Sequence, residues 1–257
     1  AIHTSPLSVI SENADFILCR IACRVAVPFF FMVSGYFLYA EQCKMKNKVN
    51  RFAKKTAALY AIAIFLYLPI NIYNGYFNAK PLLANIFKDL FFDGTLYHLW
   101  YLPAAIMGAY LALILFLAGN DVLALSISSG LYLIGLFGDS YYGISARLGH
   151  VSKFYDIIFC FSDYTRNGLF FAPIFLVLGG MISRQKKIYS LVYLIDGLIL
   201  SFCLMVAEGI TLHTLRLQRH DSMYLMLLPT MYCLFQILLR LNIKAKPVFR
   251  TLSMIIY

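Results

Sequence analysis

Seven stretches of this chain are continuously apolar over close to the length needed to cross a bilayer, about 20 residues of helix. They fall approximately at Phe16–Tyr39, Thr56–Tyr73, His98–Ala118, Val122–Phe137, Gly168–Ile182, Ile188–Ala207 and Ser222–Leu241, and an eighth begins near Thr251. Lipid offers a backbone no hydrogen-bond partner, so spanning segments must be helices or strands of a closed barrel. Barrel strands alternate apolar and polar residues, whereas these runs do not alternate. The sequence therefore predicts an all-α, polytopic transmembrane helix bundle in the cell membrane. Composition agrees, with 61% hydrophobic and only 13% charged residues, where soluble domains run near a quarter charged.

The charges that remain give the orientation. Loops 40–55, 119–121, 183–187 and 242–250 carry a net charge of +10, while the chain start and segments 74–97, 138–167 and 208–221 carry −2. Basic loops stay on the cytoplasmic side, so the second set is placed outside. The same distribution excludes a nucleic-acid partner despite the overall +10: there is no basic stripe with interleaved aromatics. Lipid headgroups are the partner these loops fit.

Five prolines lie inside the predicted spans, Pro28, Pro69, Pro103, Pro173 and Pro229. Each removes a backbone donor and is expected to bend its helix, which suits a bundle with an internal cavity. The six cysteines show no CxxC spacing, so they are expected to be small packing residues rather than a metal or redox site. Asp196 is expected to be a buried intramembrane acid with a partner. Walker, GxGxxG and HExxH motifs are absent, which disfavours an ATP-driven pump or a zinc protease. The chain opens without Met and stops within an apolar run, so residues 1–257 are expected to be one transmembrane domain truncated at both ends.

Polar residues at the outer ends of the spans are the candidates for chemistry. Arg20 and Arg24 sit one turn apart in the first span, where each charge costs roughly 2.5–3.5 kcal/mol and should face water, an acid or a ligand. His3 and His98 are candidate general bases, because a neutral imidazole takes a hydroxyl proton near pH 7. Trp100 belongs to an interfacial aromatic cluster beside His98. Arg166, Asn167, Glu208, His220 and Asp221 complete the substrate-binding candidates, with Asp139, Asp163 and His213 nearby in the same outer segments. No metal site is expected.

The stretch Arg24-Val-Ala-Val-Pro-Phe-Phe-Phe-Met-Val-Ser-Gly-Tyr-Phe-Leu38, with His3 and Pro6 upstream, resembles the signature of the acyltransferase-3 family. Tyr97–Pro103, Gly130–Ser140, Thr165–Phe171 and Arg219–Tyr224 are similar to the membrane domain of vancomycin-resistance serine racemases of the VanT type. The resemblance implies a bundle of about ten spans, of which this chain supplies seven or eight. It implies that His3 is the catalytic residue, and that a motif Arg lies before Ala1. It further implies either of two activities. The first is O-acyl transfer from acyl-CoA as co-substrate, moving an acyl group, usually acetyl, to an extracytoplasmic hydroxyl, with no permanently bound cofactor. The alternative is a domain that binds or transports L-serine for a fused or partner cytoplasmic racemase. In that case Arg24 would pair with the substrate carboxylate, and Asp196 or Glu208 with its ammonium group.

Overall fold

In a computed structural model the described residues are 6, 8–78, 81–96, 98–185 and 189–241. Among them all regular structure is helical. The first span, α1 (Glu12–Leu38), is followed by α2 (Gln42–Tyr73), and both are long and apolar enough to cross a membrane. So are α4 (Tyr101–Ala118), α5 (Asp121–Gly138) and α9 (Leu191–Thr214), while α8 (Ala172–Arg184) and α10 (Leu227–Arg240) are shorter apolar helices. This is a multi-pass helical membrane protein. The seven predicted runs overlap these seven helices, most ends differing by a few residues, while α2 begins at Gln42 rather than Thr56. The run expected near Thr251 lies outside the described residues.

The segments between these spans hold helices that hydropathy alone does not mark. A short α3 (Leu82–Lys88) passes directly into a π-turn at Asp89–Asp93. Between α5 and α8 lie α6 (Tyr142–Arg147) and α7 (Gly149–Phe161). On α7, Phe154, Ile157 and Phe161 are exposed along one side, while Lys153 and Asp156 are exposed on another. At about 100° per residue these groups occupy different arcs of the helix, the pattern of one lying in the membrane interface.

The bundle is organised around α8. Nine of its thirteen residues are buried, on every side of the helix, as expected of a helix surrounded by others. It packs against α1, α4 and α5. The closest approach is to α1, where Gly35 faces the Leu176 backbone and Gly179 faces the Met32 backbone. Small residues at such crossings let two membrane helices touch main chain to main chain.

Two expectations are corrected. Of the five prolines, Pro69 lies in the interior of α2 and Pro28 in the interior of α1. Pro103, Pro173 and Pro229 fall in the first turns of helices beginning at Tyr101, Ala172 and Leu227. There the backbone N–H has no intrahelical partner to lose, so proline starts these helices rather than bending them. The sharpest irregularity is in α1, which passes through a π-turn at Phe16–Ile21 and a 3₁₀ turn at Ala22–Val25 just before Pro28. Second, Asp196 is exposed, not buried. Because α9 begins at Leu191, Asp196 is only about 7.5 Å along the helix from that end, on a face turned away from the bundle.

Candidate functional site

The irregular part of α1 puts both arginines at one end of the bundle. Arg24 is buried, and its guanidinium is paired with Asp221, a loop residue almost two hundred positions later. Arg20 reaches the other oxygen of the same carboxylate at 3.5 Å but remains 47% exposed, against 8% for Arg24. Where the π-turn meets the 3₁₀ turn, the Arg20 carbonyl accepts from Arg24 Nε at 3.3 Å and from the Tyr224 hydroxyl at 3.1 Å. The guanidinium of Arg24 is thus aimed by its own helix and held by the 215–226 loop.

That loop is fastened by Asp139, the residue just beyond α5. Its Oδ1 accepts from the backbone N–H groups of Ser222 and Met223 at 2.7 and 3.1 Å, and the Ser140 hydroxyl donates to it at 2.9 Å. Its Oδ2 is buried with no hydrogen-bond partner among the described residues. Burial raises the Asp139 carboxyl to about 6, against the opposing pull of the Ser222 and Ser140 hydrogen bonds and the Arg166 and Arg24 charges. An acid held above its unfolded value binds protons more tightly in the folded state. Its stabilising contribution is therefore complete below about pH 4 and lost as pH rises through about 6. His220, lowered to about 4, contributes with the opposite sign over that range. The difference in melting temperature between the wild type and Asp139→Asn, followed from pH 4 to 7, isolates the first term. It should shift in favour of the variant as pH rises, and a pH-independent difference would contradict this assignment.

Arg166 forms the opposite wall. Its guanidinium carbon lies 5.1 Å from the Trp100 ring centre and 4.5 Å from that of Tyr164, contacts that hold a planar cation in place. Tyr164 in turn stacks on His220, ring centres 4.3 Å apart. Burial first, then the charges of Arg219 and Arg166, keep this imidazole neutral at ordinary pH. Arg219 itself lies 3.5 Å from the Phe159 ring centre, so α7 also braces the loop. Between the walls is a small cavity lined by Cys23, Arg24, Val27, Trp100, Arg166, Phe171 and Ser222. Two guanidiniums face it across apolar and aromatic surface, with Asp221 bonded to one of them.

The site candidates from sequence separate into groups. Arg24, Trp100 and Arg166 line this cavity, and Arg20, Asp221 and His220 stand directly behind it. Asn167 is buried and works on the main chain, its side-chain oxygen accepting from the backbone of Leu169 and Phe170 just before α8. Glu208 does the same for α10: its oxygens accept from the backbone of Leu225 and Met226 and from the Tyr141 hydroxyl. His98 is exposed two residues before Trp100. His213 stacks on Phe16 at 4.2 Å. His3 lies outside the described residues. Cys23, Phe171, Ser222 and Tyr164 were not flagged by sequence; each is an ordinary residue whose role depends on what the fold places beside it. Among the described residues no three His, Cys, Asp or Glu side chains are close enough to hold a metal ion.

Family membership narrows what this charge-lined cavity at one end of a helical membrane bundle could serve. The acyltransferase-3 model, described as an acyltransferase domain, matches residues 1–257, and the chain belongs to that family. Among its relatives, two amino-acid racemases of Enterococcus faecalis are 51% and 39% identical over 99% and 96% of this chain. A serine/alanine racemase of Enterococcus gallinarum is 36% identical over 93% of it. The chain spans only 36%, 36% and 35% of the length of these three proteins. No solved structure matches.

Proposed function

We propose that this domain binds a small zwitterionic amino acid of the L-serine class at its outer end, as the membrane part of a longer protein of racemase type. The supporting observation is the charge pattern of the cavity. Arg166, held flat between Trp100 and Tyr164, offers a planar fork matched to a carboxylate. Asp221 offers the counter-charge an ammonium group needs, and Arg24 fixes where that carboxylate sits. A zwitterion brings both charges to the site without adding net charge to poorly solvated surroundings. Serine and alanine are the amino acids printed in the name of the Enterococcus gallinarum relative.

The test is equilibrium binding of radiolabelled L-serine to the chain in nanodiscs. Saturable binding is expected, displaced by unlabelled L-serine but not by its methyl ester or its N-acetyl derivative, each lacking one charged pole. Binding that either blocked derivative displaces fully would refute the two-pole reading.

Family membership supports a second reading, acyl transfer from acyl-CoA to a hydroxyl acceptor. His3 would then be the general base, and the Arg24 and Arg166 cations would stabilise the oxyanion of the tetrahedral intermediate. Its signature is consumption of acetyl-CoA that stops in His3→Ala. Detection of that activity without serine binding would replace the first reading.

A further inference from the structure

A second concavity lies away from the charged site, between the outer end of α5 and the α6–α7 pair. Its volume is about 350 Å³, and its walls include Leu133, Phe137, Ile144, Leu148 and Phe154. Two polar side chains contribute to it, and both are already used: Ser145 donates to the Phe137 carbonyl at 2.8 Å and Tyr155 to the Ile134 carbonyl at 2.7 Å. An ordered water needs two to four polar partners, and this groove presents none to spare. Empty, its lining would forfeit dispersion contacts on one side. Leu133 and Phe137 are within about 8 Å of the end of α5 at Gly138 along its axis, which places the groove at the depth of the outer leaflet. The same α6–α7 pair carries exposed Arg147 and Lys153 and one exposed acid, Asp156, which leaves it net basic.

We propose that this groove binds one acyl chain of an anionic phospholipid of the outer leaflet, with Arg147 and Lys153 drawing its headgroup. The chain fills space that water does not, and the two cations supply a preference for negative charge that an apolar wall alone lacks. The exposed faces of α2 and α9 carry many apolar residues, so they provide an internal control for ordinary lipid contact.

The experiment places the chain in nanodiscs doped with a phospholipid bearing a diazirine in mid-chain, as phosphatidylglycerol or as phosphatidylcholine. After irradiation, adducts are mapped by peptide mass spectrometry. With phosphatidylglycerol they should concentrate between residues 133 and 155, and exceed phosphatidylcholine adducts there by about fivefold for each basic residue engaged. Leu133→Trp, which fills the groove from its exposed rim, should remove these adducts while the protein elutes as a single species. Arg147→Gln with Lys153→Gln should equalise the two lipids without emptying the groove. Labelling spread evenly over α2, α9 and this segment would overturn the proposal. So would equal labelling by both lipids in the unaltered protein.

Discussion

Replacing Arg24 by alanine is expected to lower L-serine binding by at least about 100-fold and to reduce thermal stability, whereas replacing Arg20 should change binding by less than about fivefold. The two residues are one turn apart and chemically identical, so sequence alone treats them alike. Their surroundings do not. Arg24 is buried and lines the cavity, and its removal leaves Asp221 partly desolvated beside a hole. Breaking a buried pair from one side typically costs about 3–5 kcal/mol, most of it the stranded charge. Arg20, 47% exposed and 3.5 Å from the same carboxylate, is a solvated ion pair of the kind usually contributing under about 1 kcal/mol. Arg20 also softens the loss of Arg24, which is why the binding readout should move further than the melting temperature. Arg24→Lys should recover only part of the binding. A lysine keeps the charge but lacks the Nε–H that bonds the Arg20 carbonyl. Equal losses in the two alanine variants, by nanodisc binding and thermal melting, would show that burial does not distinguish them.

What was legible in the sequence follows a physical division. Spans are legible because apolar length is a local property, and the seven runs overlap seven helices. Proline chemistry is also local, yet its consequence depends on where a helix starts: a residue that bends an interior begins a helix at its first turn. Asp196 shows the same limit. Its cost in lipid can be read from its type, but its direction follows from helix phase, and that phase turns it outward. At the site, Arg24, Trp100 and Arg166 were identifiable because buried charge and interfacial aromatics are unusual wherever they occur. Asp139 could be listed but not ranked, since its importance comes from the backbone of residues 222 and 223 folding back onto it. Glu208 and Asn167 carry the same functional groups as binding residues, and the fold uses those groups to satisfy helix beginnings. Pairings between residues 24 and 221, or 139 and 222, have no local signature.

Gly179→Ala, like its reciprocal Gly35→Ala, is expected to cost stability, while Gly130→Ala should be neutral or stabilising by up to about 1 kcal/mol. All are helical glycines, and intrinsic propensity favours alanine equally at each. At Gly130 an added Cβ meets nothing within 4 Å. At Gly179 it would meet the Met32 carbonyl, and the reciprocal contact at Gly35 would meet the Leu176 carbonyl. A side chain could rotate away, but a helix backbone cannot. Relief therefore requires α1 and α8 to separate. Overpacking typically costs about 1–3 kcal/mol even where side chains yield, so a rigid contact belongs at or above that range. Separation would also spread the site, because α1 carries Arg24 while α8 begins directly after the loop holding Arg166 and Phe171. Gly179→Ala should consequently lower both the melting temperature and serine affinity, with Gly130→Ala changing neither downward. Fluorescence-detected size exclusion after heating, with binding measured on the surviving fraction, separates the two effects. A Gly179→Ala protein that melts and binds like the wild type would mean that the α1–α8 crossing is looser than its main-chain contacts require.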